Sequence, residues 1–554
     1  MKSLFISIAA LLFSVFLFAQ QSDHNVYVVQ FKDKGVNMDA GINPSSYLSE
    51  KSVERRLKHQ IAFDESDLPV NELYIKTITD QGGKILTRSR WLNSVVIEAD
   101  VEILLWVEKL PFVGSVNVLN TQSASNKAGI KPYFANEEII SSNQHISKKV
   151  STDVYDYGGA YNQISQMNGQ FLHNNGYSGQ GMTIAVIDAG FNSVDVMTCF
   201  DSLRANDQIK GTRDFAVPGN NVYATTMHSH GTSVLSCMGA YTSGIMVGTA
   251  PKADYWLLRS EVGESESLIE EYYWVSAAEF ADSIGADLIN SSLGYTEFDD
   301  PSTNHTYADM DGNTTVVTIG ADKAASKGIL VVNSAGNSGG GGWWYIGAPA
   351  DGDSVFSIGA VDAGGFRAGY SSVGPTYDGR IKPTVSAQGS GSALFFPGGF
   401  GYGSGTSFSS PITCGITACF WQAFPELNNM EIIDFVKASG SQANQPDSLL
   451  GWGIPNFQSA FTDLTVLNEK AESELIAYPN PVSDILTIGF PSPLLGQYKV
   501  EIVDLQGRIV YTKVANEGSV QSLVISNIDF LPSGIYLIKV TNSKFNFTGR
   551  IVKE

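Results

Sequence analysis

Four short runs dominated by apolar residues constrain the fold of this 554-residue chain most strongly. Each is too short for a helix and has no regular polar face, which is typical of strands in a parallel sheet covered by helices on both sides. Between the second and third runs, residues 267–283 predict a covering helix with Trp274 and Ala278 on its inner side. The sequence therefore predicts an α/β domain built on a parallel sheet. The four runs are residues 183–187, 255–258, 287–289 and 329–332.

A serine stands at the start of a long helix without charge. No charged residue occurs from Ser407 to Phe424, and apolar side chains recur there at helical spacing, which predicts a central, buried helix. Pro411 fits the first turn, where its missing N–H leaves no bond unmade. The serine would be held by core packing, beside the unpaired N–H groups and the positive dipole end of the helix.

A carboxylate and an imidazole begin or end two other predicted elements. Asp188 follows the first apolar run, and His230 starts a helix of small apolar residues. A serine hydroxyl needs a nearby base to attack a carbonyl, and histidine can take and return that proton near neutral pH. An aspartate bonded to the second ring nitrogen orients the imidazole and stabilises its charged form. Taken singly, each residue is more often a cap or loop residue. Together, Asp188, His230 and Ser407 form a candidate catalytic triad.

These three segments resemble those of the subtilisin-like serine proteases, the subtilase family, in which aspartate, histidine and serine follow one another in this order. The segment around Asn337 resembles the family's oxyanion asparagine, which implies that its amide and the Ser407 N–H stabilise the oxyanion. Ala189 and Phe408 depart from the family's commoner residues, which affects fine geometry rather than chemistry. The resemblance also implies a substrate-binding set: Ser292, Leu293, Gly294 and Gly336.

The resemblance implies a secreted serine endopeptidase that is made as a self-processed precursor and acts on proteins or peptides. A catalytically silent subtilase fold used as a surface binding protein is the alternative, and it would be expected to have lost one of the four catalytic candidates. An esterase would use the same triad, but residues 292–294 can pair with an extended peptide by strand addition. The sequence leaves open which residue is preferred before the cut.

Composition and the N-terminus indicate export. The formal net charge is -21 and there is no basic run, which argues against nucleic-acid binding. Residues 1–19 predict a signal peptide, because a short apolar run follows Lys2 and ends at Ala19. The run is short for a membrane anchor, so no transmembrane span is expected after its removal. Cys237 and Cys414 fall in the two apolar helices, which favours free thiols, although the sequence does not settle the pairing of the four cysteines.

Three domains are expected after the signal peptide. Residues 20–152 contain strands at 26–31 and 94–99 and a helix at 100–110 and resemble the inhibitor-like α+β prodomain of subtilases, a partner for the enzyme's own cleft. Residues 120–152 of this segment are polar and predict a cleavable linker. The catalytic domain is expected at 153–465.

The last domain, residues 470–554, has short alternating strands that predict a β-sandwich. Its segments at 478–482, 504–508 and 533–536 resemble the C-terminal sorting domain of type IX secretion. That resemblance implies transport across the outer membrane by this machinery, removal of the tail, and a secreted or surface-attached enzyme. A carbohydrate- or protein-binding β module is the alternative.

One oxygen-rich loop raises the question of calcium. Asp309 to Asn313 resembles half of a calcium loop, but its glycine is misplaced for an EF-hand and no bidentate glutamate follows. A solvated turn fits the loop better. The sequence therefore predicts no cofactor and no metal at the catalytic site, with structural calcium as the weaker alternative.

Overall fold

The chain divides into two compact units, Met1–Asn456 and Phe457–Glu554. The computed structural model describes residues 25–35, 43–120, 134, 137–142, 152–263, 265–473, 475–541 and 546–554. The expected signal peptide lies outside the described residues. Among the described residues, every helix is too short or too polar to cross a lipid bilayer.

A four-stranded antiparallel sheet comes first and has the order β2-β3-β1-β4. The two predicted strands are β1 and β3, and the predicted helix is α3, where the Asp100 carboxylate accepts a hydrogen bond from the Ile103 N–H at 2.9 Å. One face of the sheet shares an apolar core with α2 and α3, which is the expected α+β architecture. The elements are β1 (Asn25–Phe31), α1 (Glu50–Lys58), α2 (Glu72–Thr79), β2 (Lys84–Ser89), β3 (Ser94–Ala99), α3 (Val101–Val107) and β4 (Val113–Asn120), and the expected linker adds β5 (Glu138–Ser141).

A seven-stranded parallel sheet forms the centre of the first unit, in the order β14-β13-β12-β11-β6-β10-β7. The four predicted apolar runs form β12, β11, β6 and β10, which are the adjacent middle strands, and this confirms the parallel α/β fold. The strands that follow β5 are β6 (Thr183–Asp188), β7 (Ile209–Asp214), β8 (Tyr241–Thr242), β9 (Met246–Val247), β10 (Asp254–Arg259), β11 (Leu288–Ser291), β12 (Leu330–Ser334), β13 (Phe356–Val361), β14 (Val385–Gln388), β15 (Ser392–Phe396) and β16 (Gly399–Ser404).

Helices cover this sheet, and two of them are almost wholly inside the protein. All residues of α7 are buried, and α10 is buried from Thr406 to Trp421, as its lack of charge predicts. The four cysteines are buried free thiols. The helices are α4 (Tyr161–Ser165), α5 (Gln170–Asn174), α6 (Asp201–Ala205), α7 (His230–Gly239), α8 (Ile269–Ile284), α9 (Val316–Ser326), α10 (Thr406–Ala423) and α11 (Asn429–Ala438).

The N-terminal sheet region docks on α8 through a buried ionic cluster. Asp282 of α8 accepts hydrogen bonds from the guanidinium groups of Arg55, Arg56 and Arg90 at 2.7, 2.6 and 2.8 Å. The Asp282 side chain is 0% exposed. A carboxylate this deeply buried is tolerated only because the opposite charges reach it from the docked region.

The segment expected to be a linker takes part in the folded body. Strand β5 pairs antiparallel with β16, placing Glu138 opposite Ser404 and Ser141 opposite Gly401. Together with β15 they form a three-stranded sheet. Ile139 and Ile140 are only two adjacent apolar residues between polar neighbours, which is too short a run to predict a strand from the sequence. Because β16 ends two residues before α10 begins, this pairing places the linker next to the start of α10.

The second unit is an antiparallel five-stranded arrangement around its own apolar core, which agrees with the expected β-sandwich tail. This unit begins with a helix at Phe457. The division between the two units therefore lies a few residues before residue 465, where the catalytic domain was expected to end. Its elements are α12 (Phe457–Ser473), β17 (Ile476–Tyr478), β18 (Leu486–Asp504), β19 (Ile509–Ile525), β20 (Gly534–Thr541) and β21 (Asn546–Lys553).

Candidate active site

Asp188 and His230 meet at the carboxyl edge of the parallel sheet. Asp188 is the last residue of β6, and His230 is the first residue of α7. The Asp188 Oδ1 atom lies 2.8 Å from His230 Nδ1 and also accepts the Ala189 N–H at 2.7 Å. Their side chains are 0% and 4% exposed. The carboxylate therefore fixes the imidazole with Nδ1 protonated and leaves Nε2 facing the cleft.

Ser407 lies in the first turn of α10 and is held by a reciprocal pair of bonds. Its Oγ donates to the Ser292 carbonyl at 3.3 Å, and the Ser292 hydroxyl donates to the Ser407 carbonyl at 2.9 Å. His230 Nε2 is buried and receives no hydrogen bond in the described part of the chain. The serine hydroxyl is therefore turned toward the residue that directly follows β11 rather than toward the imidazole.

Asn337 is oriented by the start of α10. Its Oδ1 atom accepts hydrogen bonds from the Thr406 N–H at 2.8 Å and from the Thr406 hydroxyl at 2.9 Å. These bonds leave the amide Nδ2 as the donor that faces the cleft, beside the first N–H groups of α10. The same Thr406 Oγ1 atom accepts the Gly336 N–H at 3.2 Å. Thr406 thus ties two predicted site residues to the helix that carries Ser407.

The predicted substrate-binding residues lie beside Ser407. Ser292, Leu293 and Gly294 follow β11 directly and are all buried in this structure. The Leu293 carbonyl accepts the Asn333 side-chain N–H at 3.0 Å, which fixes the direction of the segment. Gly336, which follows β12, has a φ of +118° and adopts a backbone conformation that L side chains rarely take. Direct hydrogen bonds therefore join Asp188 to His230 and Ser292 to Ser407, Thr406 bonds both Asn337 and Gly336, and Leu293 and Gly294 follow Ser292 in the chain.

Glu137 lies between Asn337 and His230. It was not singled out from the sequence. One carboxylate oxygen accepts the Asn337 Nδ2 hydrogen bond at 2.9 Å, and the other lies 3.2 Å from His230 Nε2. The second contact has the distance of an ion pair without an aligned hydrogen bond. The Glu137 side chain is only 4% exposed. A Cβ atom at Gly405 would lie 2.4 Å from Glu137 Oε1, so only glycine leaves room for it.

The electrostatics of the site favour a positive charge on the buried His230 imidazole. Burial alone would lower the pKa of His230, but the carboxylates of Asp188 and Glu137 outweigh it and raise this pKa to about 10. The imidazole is therefore held in its charged form, which cannot accept a proton from Ser407. The pKa of the neighbouring His228 is lowered by burial and by the His230 charge.

An aromatic ring closes the site from the linker side. Phe134 is buried and stacks on His230 with ring centroids 4.5 Å apart, and its centroid lies 4.7 Å from that of His228. The Glu137 N–H donates to the Phe134 carbonyl at 3.1 Å, so both side chains come from one turn. The sequence contains one signal for these contacts, which is an aromatic residue, Phe134, three positions before Glu137 in a polar stretch.

Comparisons with known proteins match three parts of the chain to known families. The subtilase family model matches residues 179–453. The model of the peptidase S8 propeptide domain of Bacteroidota matches residues 26–131. The secretion system C-terminal sorting domain matches residues 476–554.

Curated relatives are similar over the same region. Subtilisin NAT of Bacillus subtilis subsp. natto is 28% identical over 389 residues, which cover 69% of this chain and 84% of the relative. Subtilisin of Bacillus pumilus is 30% identical over 303 residues, which cover 54% of this chain and 97% of the relative. Subtilisin DY of Bacillus licheniformis is 30% identical over 292 residues, which cover 51% of this chain and 92% of the relative.

Proposed function

The chain belongs to the subtilase family and is a subtilisin-type serine endopeptidase, and we propose that Asp188, His230 and Ser407 are its catalytic triad. The observation that carries the proposal is the buried Asp188–His230 contact of 2.8 Å beside the N-terminus of the helix that begins at Thr406 and carries Ser407. We assign oxyanion stabilisation to the Asn337 amide and the Ser407 N–H, and substrate binding to residues 292–294 and Gly336.

In the proposed reaction, the cleft is first cleared of Glu137 and His230 becomes neutral. Ser407 Oγ then turns from the Ser292 carbonyl toward Nε2, gives its proton to it and forms a bond to the substrate carbonyl carbon. The carbonyl oxygen becomes an anion and is met by Asn337 Nδ2, which Thr406 has already aimed. When this intermediate collapses, the C–N bond breaks and Nε2 returns its proton to the leaving amine.

The acyl-enzyme is then hydrolysed by the same groups. Water gives a proton to His230 Nε2 and adds to the acyl carbon, and the Ser407 ester bond breaks as the proton passes back to Oγ. Asp188 accepts one hydrogen bond from Nδ1 throughout. The charged imidazole that forms in each half of the reaction is stabilised by this carboxylate.

The finer proposal is that the enzyme is made as a precursor inhibited by its own linker. Glu137 accepts the hydrogen bond of the Asn337 amide, which is proposed to stabilise the oxyanion, and contacts Nε2 of His230, the proposed base. Neither group is then available for the reaction with a substrate. Strand β5 holds the linker in place beside Ser407. We assign residues 20–152 to the prodomain and linker, 153–465 to the catalytic domain and 470–554 to the sorting domain, and expect self-cleavage within 120–152.

The C-terminal domain indicates where the precursor is transported. The sorting domain directs the chain through type IX secretion, to the cell surface or the medium. Its partners are the secretion machinery, its own propeptide and the peptide substrates of a protease. We propose no cofactor for the hydrolytic reaction, because the triad and two N–H donors supply every proton and charge that it needs.

The test compares Ser407→Ala with Ser409→Ala in the full-length chain. Ser409 is buried in the same helix, where its hydroxyl donates to the Thr406 carbonyl. We expect Ser407→Ala to remain folded, unprocessed and without peptidase activity, whereas Ser409→Ala should process itself and cleave peptides. Processing or turnover by the Ser407→Ala protein, measured by N-terminal sequencing and a peptide assay, would overturn the proposed nucleophile.

A further inference from the structure

Phe134 of the linker lies in a corner formed by two imidazole rings, those of His228 and His230. Its ring centroid is 4.5 Å from that of His230, with an angle of 21° between the ring planes, and 4.7 Å from that of His228, with an angle of 51°. The centroids of the two imidazoles are 6.3 Å apart. Such separations are those of aromatic rings in direct contact. We call this place the imidazole corner.

The catalytic domain itself holds His228 in this corner. The His230 N–H donates a hydrogen bond to His228 Nδ1 at 3.1 Å, which orients the ring. A Cβ atom at Gly263 would lie 3.2 Å from His228 Cδ2, and one at Gly190 would lie 2.7 Å from the His228 carbonyl oxygen. Both neighbouring segments therefore pack closely against this residue, and the shape of the corner does not depend on the linker.

The direction of the linker relates the imidazole corner to the proposed reaction. From Phe134 the chain reaches Glu137, whose Oε1 accepts the Asn337 Nδ2 hydrogen bond, and then Glu138, which pairs with Ser404 of β16. The Asn337 amide is proposed to meet the oxyanion of the carbonyl under attack. When the enzyme cuts a chain that runs in this direction, the residues before the cut lie on the side of the imidazole corner.

The second residue before the cut is the one that reaches this corner. The side chain of the residue directly before the cut is assigned to residues 292–294 and Gly336, and its carbonyl carbon must meet Ser407 Oγ. The next residue toward the N-terminus then lies beside His230, which takes the proton of Ser407. Phe134 thus occupies the place of a substrate side chain.

We propose that His228 is a specificity-determining residue, which together with His230 selects an aromatic side chain at the second position before the cut. This inference rests on the proposed triad and on self-cleavage within the linker. An aromatic ring in the corner gains apolar burial and contact with two further rings, whereas an aliphatic side chain gains burial alone. Burial, together with the His230 charge, lowers the pKa of His228, so its ring is neutral and does not attract an acidic side chain as a cation would.

The test measures kcat/KM of the processed enzyme on peptides that differ only in the second residue before one fixed bond. One aromatic contact is worth about 2- to 12-fold beyond burial, so phenylalanine should be preferred over leucine by at least about 2-fold. Alanine, which buries little apolar surface, should be the poorest of the three. Mass spectrometry of the products checks that every peptide is cut at the same bond.

Two variants of His228 separate its ring from the hydrogen bond that it accepts. His228→Phe keeps a ring and loses the acceptor, and it should retain the preference for phenylalanine. His228→Asn keeps an acceptor and has no ring, and it should lower the phenylalanine-to-leucine ratio by about 2- to 12-fold. A residue that only positions His230 would behave differently: His228→Phe would lose more kcat than His228→Asn, and the ratio would be unchanged in both.

Three results would overturn the inference: equal kcat/KM for the phenylalanine and leucine peptides in the unchanged enzyme, an aromatic preference at another position only, or an unchanged ratio in His228→Asn. Failure of the proposed triad would be distinct, since Ser407→Ala would then still cut these peptides. If His228→Asn does not process itself, His228→Gln also accepts through a side-chain oxygen, has no ring and gives the same comparison.

Discussion

Replacing Glu137 with glutamine should weaken the hold of the prodomain on the active site without changing its shape. Glutamine can still accept the Asn337 bond through its oxygen and can donate through its amide to a neutral His230 Nε2. It cannot pair with a charged imidazole. The substitution therefore removes the buried ion pair between Glu137 and His230, whose atoms lie 3.2 Å apart, and leaves the packing in place.

The magnitude follows from the loss of a charged partner. The Glu137 carboxylate accepts a hydrogen bond from the Asn337 amide at 2.9 Å and lies beside the charged imidazole, and a hydrogen bond to a charged group contributes about 1.5–3 kcal/mol. Because each 1.4 kcal/mol is about tenfold in an equilibrium constant, the inhibition constant of the prodomain should rise roughly 10- to 150-fold.

The assay measures inhibition of the processed enzyme by residues 20–152 added in trans. Glu138→Gln is the matched control, because Glu138 is the next residue of the same segment and is exposed. Its inhibition constant should match that of the unchanged segment. The reasoning would be refuted if Glu137→Gln inhibited as strongly as the unchanged segment, since the carboxylate would then contribute nothing to the block.

Three further outcomes are expected. Inhibition by the prodomain should weaken as pH rises toward 10, because Glu137 helps to raise the pKa of His230 to about 10 in the complex and the ion pair is lost when His230 loses its proton; an inhibition constant that does not change over this range would contradict the ion pair. Asn337→Ala should lose about 10²–10³ in kcat, a figure that comes from a subtilisin, with little change in KM; a loss confined to KM would make Asn337 a substrate-binding residue. Asp282→Ala should cost the precursor about 3–5 kcal/mol in denaturant unfolding, because it leaves the buried Arg55 guanidinium without a carboxylate partner; an unchanged midpoint would mean that the cluster adds no stability.

The parts of the fold that the sequence predicts are those that depend on the local pattern of apolar residues. Strand β6 is apolar from Ile184 to Ile187 and helix α10 contains no charged residue, and burial on all sides favours such patterns. Asp188 and Ser407 could be singled out because each stands where such an element ends or begins. Their neighbours in the structure then follow from a parallel sheet, whose strand ends share one edge.

The parts that the sequence does not predict depend on contacts between distant polar residues. Glu137 is one carboxylate in a polar stretch, and its role appears only when β5 pairs with β16. Thr406 orients Asn337 across a separation of 69 residues, and no periodicity records that bond. Glu261, Glu266 and Glu270 look like ordinary surface charges in the sequence and are buried only because the loop after β10 folds inward.

The most direct test of the central proposal is covalent labelling of the processed enzyme with a serine-reactive fluorophosphonate. Attack on the phosphorus requires a hydroxyl activated by a base, as peptide hydrolysis does. The account predicts one adduct per chain, located at Ser407 by mass spectrometry, with activity lost in proportion to labelling. An adduct on another serine, or full activity in a chain labelled at Ser407, would contradict it.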